Sequence, residues 1–148
     1  MDAIDHKILN IIQAAFPLET EPYRWIGEQT GVTHEEAFNR VRKLRESDII
    51  RRIGAVFDPK KLGFVSTLCA ARVPEEKLRR FVAHVNAYPG VTHNYRRNHD
   101  YNVWFTYIAA DEDELNRFLE EIREKTGIAD MISLRAVRTF KINARFDF

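Results

Sequence analysis

Apolar side chains recur at helical spacing from the start of the chain: Ile4, Ile8, Ile11, Ile12 and Ala15. A stripe at that period marks one buried face of a helix over residues 3–15. Pro17 and Pro22 bracket a loop. The pattern then predicts a short helix over Tyr23–Thr30, stopped by Gly31. Thr33 stands as an N-cap with Glu36 at the capping-box position. The third helix that follows carries Ala37, Val41 and Leu44. Two helices, a tight glycine turn and a third helix give a helix-turn-helix outline. Ile49–Phe57 reads as an extended wing or linker strand.

The second half has another rhythm. Phe64–Val73 is strand-like, and Pro74 opens a helix at a position where proline is tolerated. That helix buries Leu78, Phe81, Val82 and Val85, and Pro89-Gly90 ends it. Val91–Arg97 and Tyr101–Ala109 read as two strands joined by a turn near Asn98-His99-Asp100. Asp111 and Glu114 cap a helix whose core face is Leu115, Phe118, Leu119 and Ile122, and Gly127 closes it. Ile132, Leu134, Ala136, Phe140 and Ile142 share one face of a long final strand. Strand, helix, strand, strand, helix, strand is the ferredoxin-like order. The fold class is α+β: a helix-turn-helix domain over 1–52, a linker strand over 53–63 and a ferredoxin-like β-α-β-β-α-β domain over 64–148.

Composition changes little in this picture. Of 148 residues, 45% are hydrophobic and 30% charged, enough for a real core. The net charge of +1 supplies no strong field toward nucleic acid or acidic membranes. Cys69, the single cysteine, lies in an apolar run and reads as a small buried hydrophobe. No signal peptide and no membrane-spanning apolar stretch stands out, so a cytoplasmic protein is expected.

Charge also bears on the helix-turn-helix. Its third helix carries Arg40, Arg42, Lys43 and Arg45, yet residues 1–52 hold 8 Lys+Arg against 9 Asp+Glu, a net of −1. A dedicated DNA reader usually shows a clear positive excess. The amino end of the third helix, which normally approaches base edges, is Thr33-His34-Glu35-Glu36. A three-helix unit kept for packing and for building a site is the better reading.

Val91–Tyr107 holds the densest chemistry. Two His, two Arg, two Tyr and three Asn fall within His93–Asn102. On an ideal strand His93, Tyr95 and Arg97 share one face, and Asn94 and Arg96 the other. A solvated hairpin with charged edges is the plain alternative. Histidine as a type binds metals or moves protons near neutral pH, and arginine pairs with carboxylates through two parallel bonds. Tyrosine and tryptophan offer flat faces. These types suit a planar polycarboxylate, although any anion could use the same set. Arg51-Arg52, just before Ile53-Gly54-Ala55, is a second basic point: a charged wing or a carboxylate clamp.

The element order resembles the Lrp/AsnC family, in which a helix-turn-helix precedes a ferredoxin-like ligand-sensing domain. More specifically, Ile50-Arg51-Arg52-Ile53-Gly54-Ala55-Val56-Phe57, Gly90-Val91-Thr92-His93-Asn94-Tyr95 and His99-Asp100-Tyr101-Asn102-Val103-Trp104-Phe105-Thr106 resemble the sirohaem decarboxylases. The likeness runs from Ile4 to the last strand. It implies loss of carbon dioxide from two acetate side chains of sirohaem, on rings C and D, to give didecarboxysirohaem for haem or haem d1 synthesis. It implies no cofactor beyond the sirohaem substrate and no metal held by the protein alone. It also implies a homologous partner subunit in a heterodimer, or a homo-oligomer, with the tetrapyrrole at the ferredoxin-like domains.

Carried onto matching positions, the resemblance makes His93 and His99 catalytic. One would be the general acid; the other would approach the iron as an axial ligand. It assigns Arg51, Arg52, Tyr95, Arg96, Arg97, Asn102 and Trp104 to substrate binding, with sheet packing the leading role for Trp104. Two other classes stay open at this point: a ligand-sensing transcription regulator, and a non-catalytic haem-binding partner subunit.

Overall fold

The computed structural model describes residues 1–141 and 145–148. It falls into two compact units, Met1–Val56 with Lys141–Phe148, and Phe57–Phe140.

The first unit holds α1 (Ala3–Ile12), α2 (Pro22–Thr30) and α3 (His34–Glu46). Two of these helices, α1 and α3, begin where the sequence supplies a side-chain cap, and α2 begins at a proline. Asp2 Oδ1 accepts from the Ile4 and Asp5 amides at 2.9 and 3.0 Å, and Asp5 Oδ2 accepts from the Asp2 amide at 3.0 Å. This reciprocal pair satisfies amides that the first turn leaves without partners. Pro22 opens α2, and Gly31 ends it at φ 77°, a conformation that favours glycine. The Thr33 hydroxyl accepts from the Glu36 amide at 3.1 Å, as the sequence predicts. The Glu36 carboxylate pairs with Arg40 at 2.9 Å. Ile8, Ile26, Ala37 and Val41 form the buried core of this unit. The Gln13 side chain donates to the Phe146 carbonyl at 2.7 Å and accepts from its amide at 3.0 Å, fixing the last described segment to α1.

The expected wing strand over Ile49–Phe57 does not form; residues 51–57 are irregular, and a 3-10 turn follows at Lys60–Leu62. A strand needs a ladder partner, and among the described residues this segment has none. Val56 and Phe57 are accordingly 85% and 71% exposed.

The second unit holds β1 (Val65–Ala71), α4 (Glu75–Asn86), β2 (Val91–Arg96), β3 (Val103–Ala109), α5 (Glu112–Thr126) and β4 (Met131–Leu134). Strand order is β2-β3-β1-β4, with every neighbouring pair antiparallel. This is the predicted ferredoxin-like arrangement of two interlocked β-α-β units. Cys69, Ala71, Val103, Phe105, Tyr107 and Met131 pack from the sheet against Phe81, Val85, Leu115, Phe118, Leu119 and Ile122 of α4 and α5. Gly90 precedes β2 where a Cβ would stand 2.3 Å from the Ile108 carbonyl oxygen, so only glycine lets these backbones approach.

The final strand is shorter than expected. It stops at Leu134, and Ala136 and Phe140 lie beyond it; Ile142 is outside the described residues. Adjacent Ala136-Val137 breaks the alternation, and Val137 and Phe140 lie almost fully exposed. No helix among the described residues is long and apolar enough to cross a membrane.

Candidate functional site

The hairpin of β2 and β3 positions most of the residues singled out above. The Arg97 amide donates to the Asn102 carbonyl at 2.8 Å and closes its loop. The expected second strand, from Tyr101, begins at Val103 instead, because Asn102 is drawn aside. Its Oδ1 accepts from the Val73 amide at 2.9 Å, and its Nδ2 donates to the Val73 carbonyl at 2.8 Å. One side chain thus ties the loop to the residues after β1.

A register shift between Val91 and His93 makes Thr92 an extra residue, and beyond it the two faces separate. His93 lies opposite Thr106 and Tyr95 opposite Trp104, on the face away from the helices. Asn94 lies opposite the buried Phe105, and Arg96 opposite the buried Val103. Asn94 and Arg96 therefore point toward α4. Asn94 Nδ2 donates to Asn86 Oδ1 at 2.8 Å, and Arg96 reaches both Glu75 oxygens at 3.2 and 2.7 Å.

The helix-free face carries an aromatic and cationic ladder. The His93 and Tyr95 rings stack at 6.0 Å with planes 29° apart. The Arg97 guanidinium lies 5.2 Å from the Tyr95 ring centre. His93 Nδ1 is 3.0 Å from the Thr92 hydroxyl. Half-buried Trp104 donates from Nε1 to the Tyr101 carbonyl at 2.7 Å, which accords with packing in the sheet. Arg96, Arg97, Asn98, His99 and Asn102 line a shallow hollow of ≈ 450 Å³ at the loop.

His99 sits in the loop with Nδ1 accepting the Tyr101 amide at 3.1 Å. Its ring stacks on Tyr101 at 6.3 Å and 21°. Tyr101 is itself anchored: its hydroxyl donates to Asp130 Oδ1 at 2.8 Å. Arg72 Nε pairs with Asp130 Oδ2 at 3.0 Å, and its guanidinium lies 5.5 Å from the Tyr101 ring centre. The bond to Asp130 raises the Tyr101 phenol above its ordinary range. Arg72 and Asp130 were invisible to sequence reasoning. They flank the hairpin in space but stand at the ends of other strands, with no local pattern to mark them.

Arg51 and Arg52 belong to the first unit. They line a groove of ≈ 480 Å³ with Leu9, Ile12, Phe16 and Phe146. On α3, Arg40 is bound by Asp2 at 2.8 Å and by Asp5 and Glu36 at 2.9 Å, and these carboxylates raise its already high pKa further. Among the described residues no three His, Cys, Asp or Glu side chains converge to hold a metal ion.

Two family models match the chain: "Siroheme decarboxylase NirDL-like HTH domain" over residues 5–51 and "AsnC-like ligand binding domain" over residues 61–141. A siroheme decarboxylase alpha subunit from Oleidesulfovibrio alaskensis is 53% identical over 146 residues, which are 99% of this chain and 88% of that protein. The crystal structure of the siroheme decarboxylase NirDL superposes with a TM-score of 0.75 at 36% identity. That match covers 98% of this chain and 47% of the NirDL chain. An AsnC family transcriptional regulator from Agrobacterium tumefaciens has a TM-score of 0.80 at 27% identity, over 99% of this chain and 96% of that one. The scaffold is thus shared with regulators, while the helical unit and the identity along nearly the whole chain single out one branch: the chain belongs to the sirohaem decarboxylase family.

Proposed function

We propose that this chain is a sirohaem decarboxylase subunit whose site is the helix-free face and loop of the β2–β3 hairpin. The observation that carries this reading to the hairpin is the ladder of His93, Tyr95 and Arg97 on one face. A flat aromatic step between an imidazole and a guanidinium suits a planar macrocycle edged with carboxylates.

The reaction breaks one carbon–carbon bond per acetate. Carbon dioxide leaves, the electron pair stays on the methylene carbon, and one proton converts that carbon to a methyl group. Nothing is oxidised or reduced, so the substrate and a proton donor complete the chemistry. His93 is proposed as the general acid. Arg97 neutralises carboxylate charge beside the ring. Arg51 and Arg52 belong to the first unit, and the site proposed here is built from the second unit alone. Arg96 has a partner in Glu75, and Asn102 has two in Val73. Their assignment moves from gripping substrate to shaping the loop.

A homologous partner subunit completes the proposal. The sheet face away from α4 and α5 carries Leu68, Ile132 and Leu134, all exposed, beside Trp104 and Ile108. An uncovered apolar sheet face is a docking surface, and this one is continuous with His93 and Tyr95. DNA binding fits less well, because three carboxylates already occupy Arg40 of the third helix.

The test is anaerobic incubation with sirohaem, alone and with the partner subunit, read by mass spectrometry for loss of one or two carbon dioxide units. His93→Ala should retain sirohaem binding by absorbance yet lose turnover by roughly 10²-fold or more. Full turnover in His93→Ala would remove it as general acid. No mass loss with the partner present would overturn the enzyme assignment.

A further inference from the structure

We propose that Tyr101, held by Asp130 and Arg72, is a positioning residue that fixes His99 as its Nε2–H tautomer, making His99 a hydrogen-bond donor to a substrate carboxylate. The inference deepens the decarboxylase reading of the hairpin and rests on it for the identity of the substrate.

A peptide amide only donates, so the Tyr101 N–H at 3.1 Å requires a lone pair on His99 Nδ1. A neutral imidazole has one N–H, which must then sit on Nε2. An Nε2 carrying hydrogen has no lone pair for iron. In this tautomer His99 cannot be an axial ligand through Nε2, and it can donate at the hollow it lines with Arg96, Arg97, Asn98 and Asn102.

The direction of the Tyr101 amide is set by contacts from two distant parts of the chain, Asp130 and Arg72, and by nearby Trp104. Asp130, before β4, accepts the phenol proton at 2.8 Å. Arg72, after β1, grips Asp130 at 3.0 Å and covers the Tyr101 ring at 5.5 Å. The Arg72 amide also donates to the Asp130 carbonyl at 2.9 Å, joining the two strand ends through the backbone. Trp104 on β3 holds the Tyr101 carbonyl at 2.7 Å. The phenol thus anchors one side of Tyr101 while its amide holds the imidazole on the other. This is how an exposed loop histidine gains one fixed tautomer.

The tautomer is read directly from long-range ¹H–¹⁵N correlation spectra of the uniformly ¹⁵N-labelled full chain, without substrate and at a pH where His99 is neutral. His99→Gln assigns the signals by their loss. The expected wild-type pattern is Nε2–H. Tyr101→Phe and Asp130→Ala should each shift the Nε2–H to Nδ1–H ratio by about ten-fold, while Asp130→Asn, which keeps an acceptor for the phenol, should retain the wild-type pattern. With partner and sirohaem, KM should rise by about ten-fold in the two disruptive variants with kcat less affected, as for a lost bond to a charged group. Amide spectra of the variants confirm that the fold is intact. An Nδ1–H pattern in the wild type, or an unchanged ratio in both Tyr101→Phe and Asp130→Ala, overturns the proposal while leaving sirohaem turnover to stand. An unreactive wild type with an Nε2–H pattern that shifts in the variants keeps the tautomer assignment and overturns the carboxylate role together with the decarboxylase reading.

Discussion

Cys69 has no exposed surface, and burial pushes its thiol up to about 12. At pH 8 roughly one thiol in ten thousand is then ionised, and the thiolate is the reactive form. Iodoacetamide should leave Cys69 unlabelled for hours in the native chain and label it within minutes in denaturant; rapid native labelling would contradict this. Asn102 makes the opposite point, that an exposed-looking polar residue can be structural. Its amide spends both ends on Val73, so Asn102→Ala should cost about 1–3 kcal/mol in urea unfolding through two backbone groups left unpaired. If Asn102 instead gripped substrate, the variant would keep its stability and lose sirohaem affinity. The faces of His93 and Tyr95, and of Asn94 and Arg96, were legible from strand alternation. The roles of Asn102, Arg96 and Tyr101 were not, because each depends on a partner 21 to 29 residues away.

Among the elements, those with strong local signals were legible and those that need a distant partner were not. The Thr33 and Asp111 caps, the glycine stops and the core face Leu115–Ile122 are local chemistry, and the structure places them as read. The wing strand and the long final strand failed because β structure depends on pairing, which a sequence window does not contain. The capping pair of α1 also carries a pH dependence. The amide of Asp5, and then the Arg40 guanidinium, lower Asp2 from 3.8 to about 2. A carboxylate lowered in the folded state contributes stability that is present above 3.8 and lost as pH falls through about 2. Asp2→Asn keeps a capping oxygen and removes the charge. The variant should unfold at a lower temperature than wild type at pH 7, and the gap should close between pH 4 and 2. A gap that persists unchanged at pH 2 would assign the effect to something other than this ionisation.

For the whole molecule, the decisive feature is which side of the sheet stays open. Both helices of the second unit pack on one side, leaving Leu68 at 40% and Leu134 at 44% exposed on the other. His93 and Tyr95 share that side, so a homologous subunit docking there would cover the proposed site as it buries the apolar patch. Water exclusion strengthens the pairing of arginine with carboxylate, so such docking would tie full activity to assembly. Leu68→Lys combined with Leu134→Lys should leave the unfolding free energy of the isolated chain within about 1 kcal/mol, since both side chains are already partly in water. The same variant should no longer co-elute with the partner subunit in size-exclusion chromatography, and its sirohaem turnover should fall to that of the chain alone. Retained co-elution would show that the partner docks elsewhere. Lost turnover with co-elution intact would instead make the face a direct contact for the macrocycle, since these lysines would then disturb substrate and not assembly.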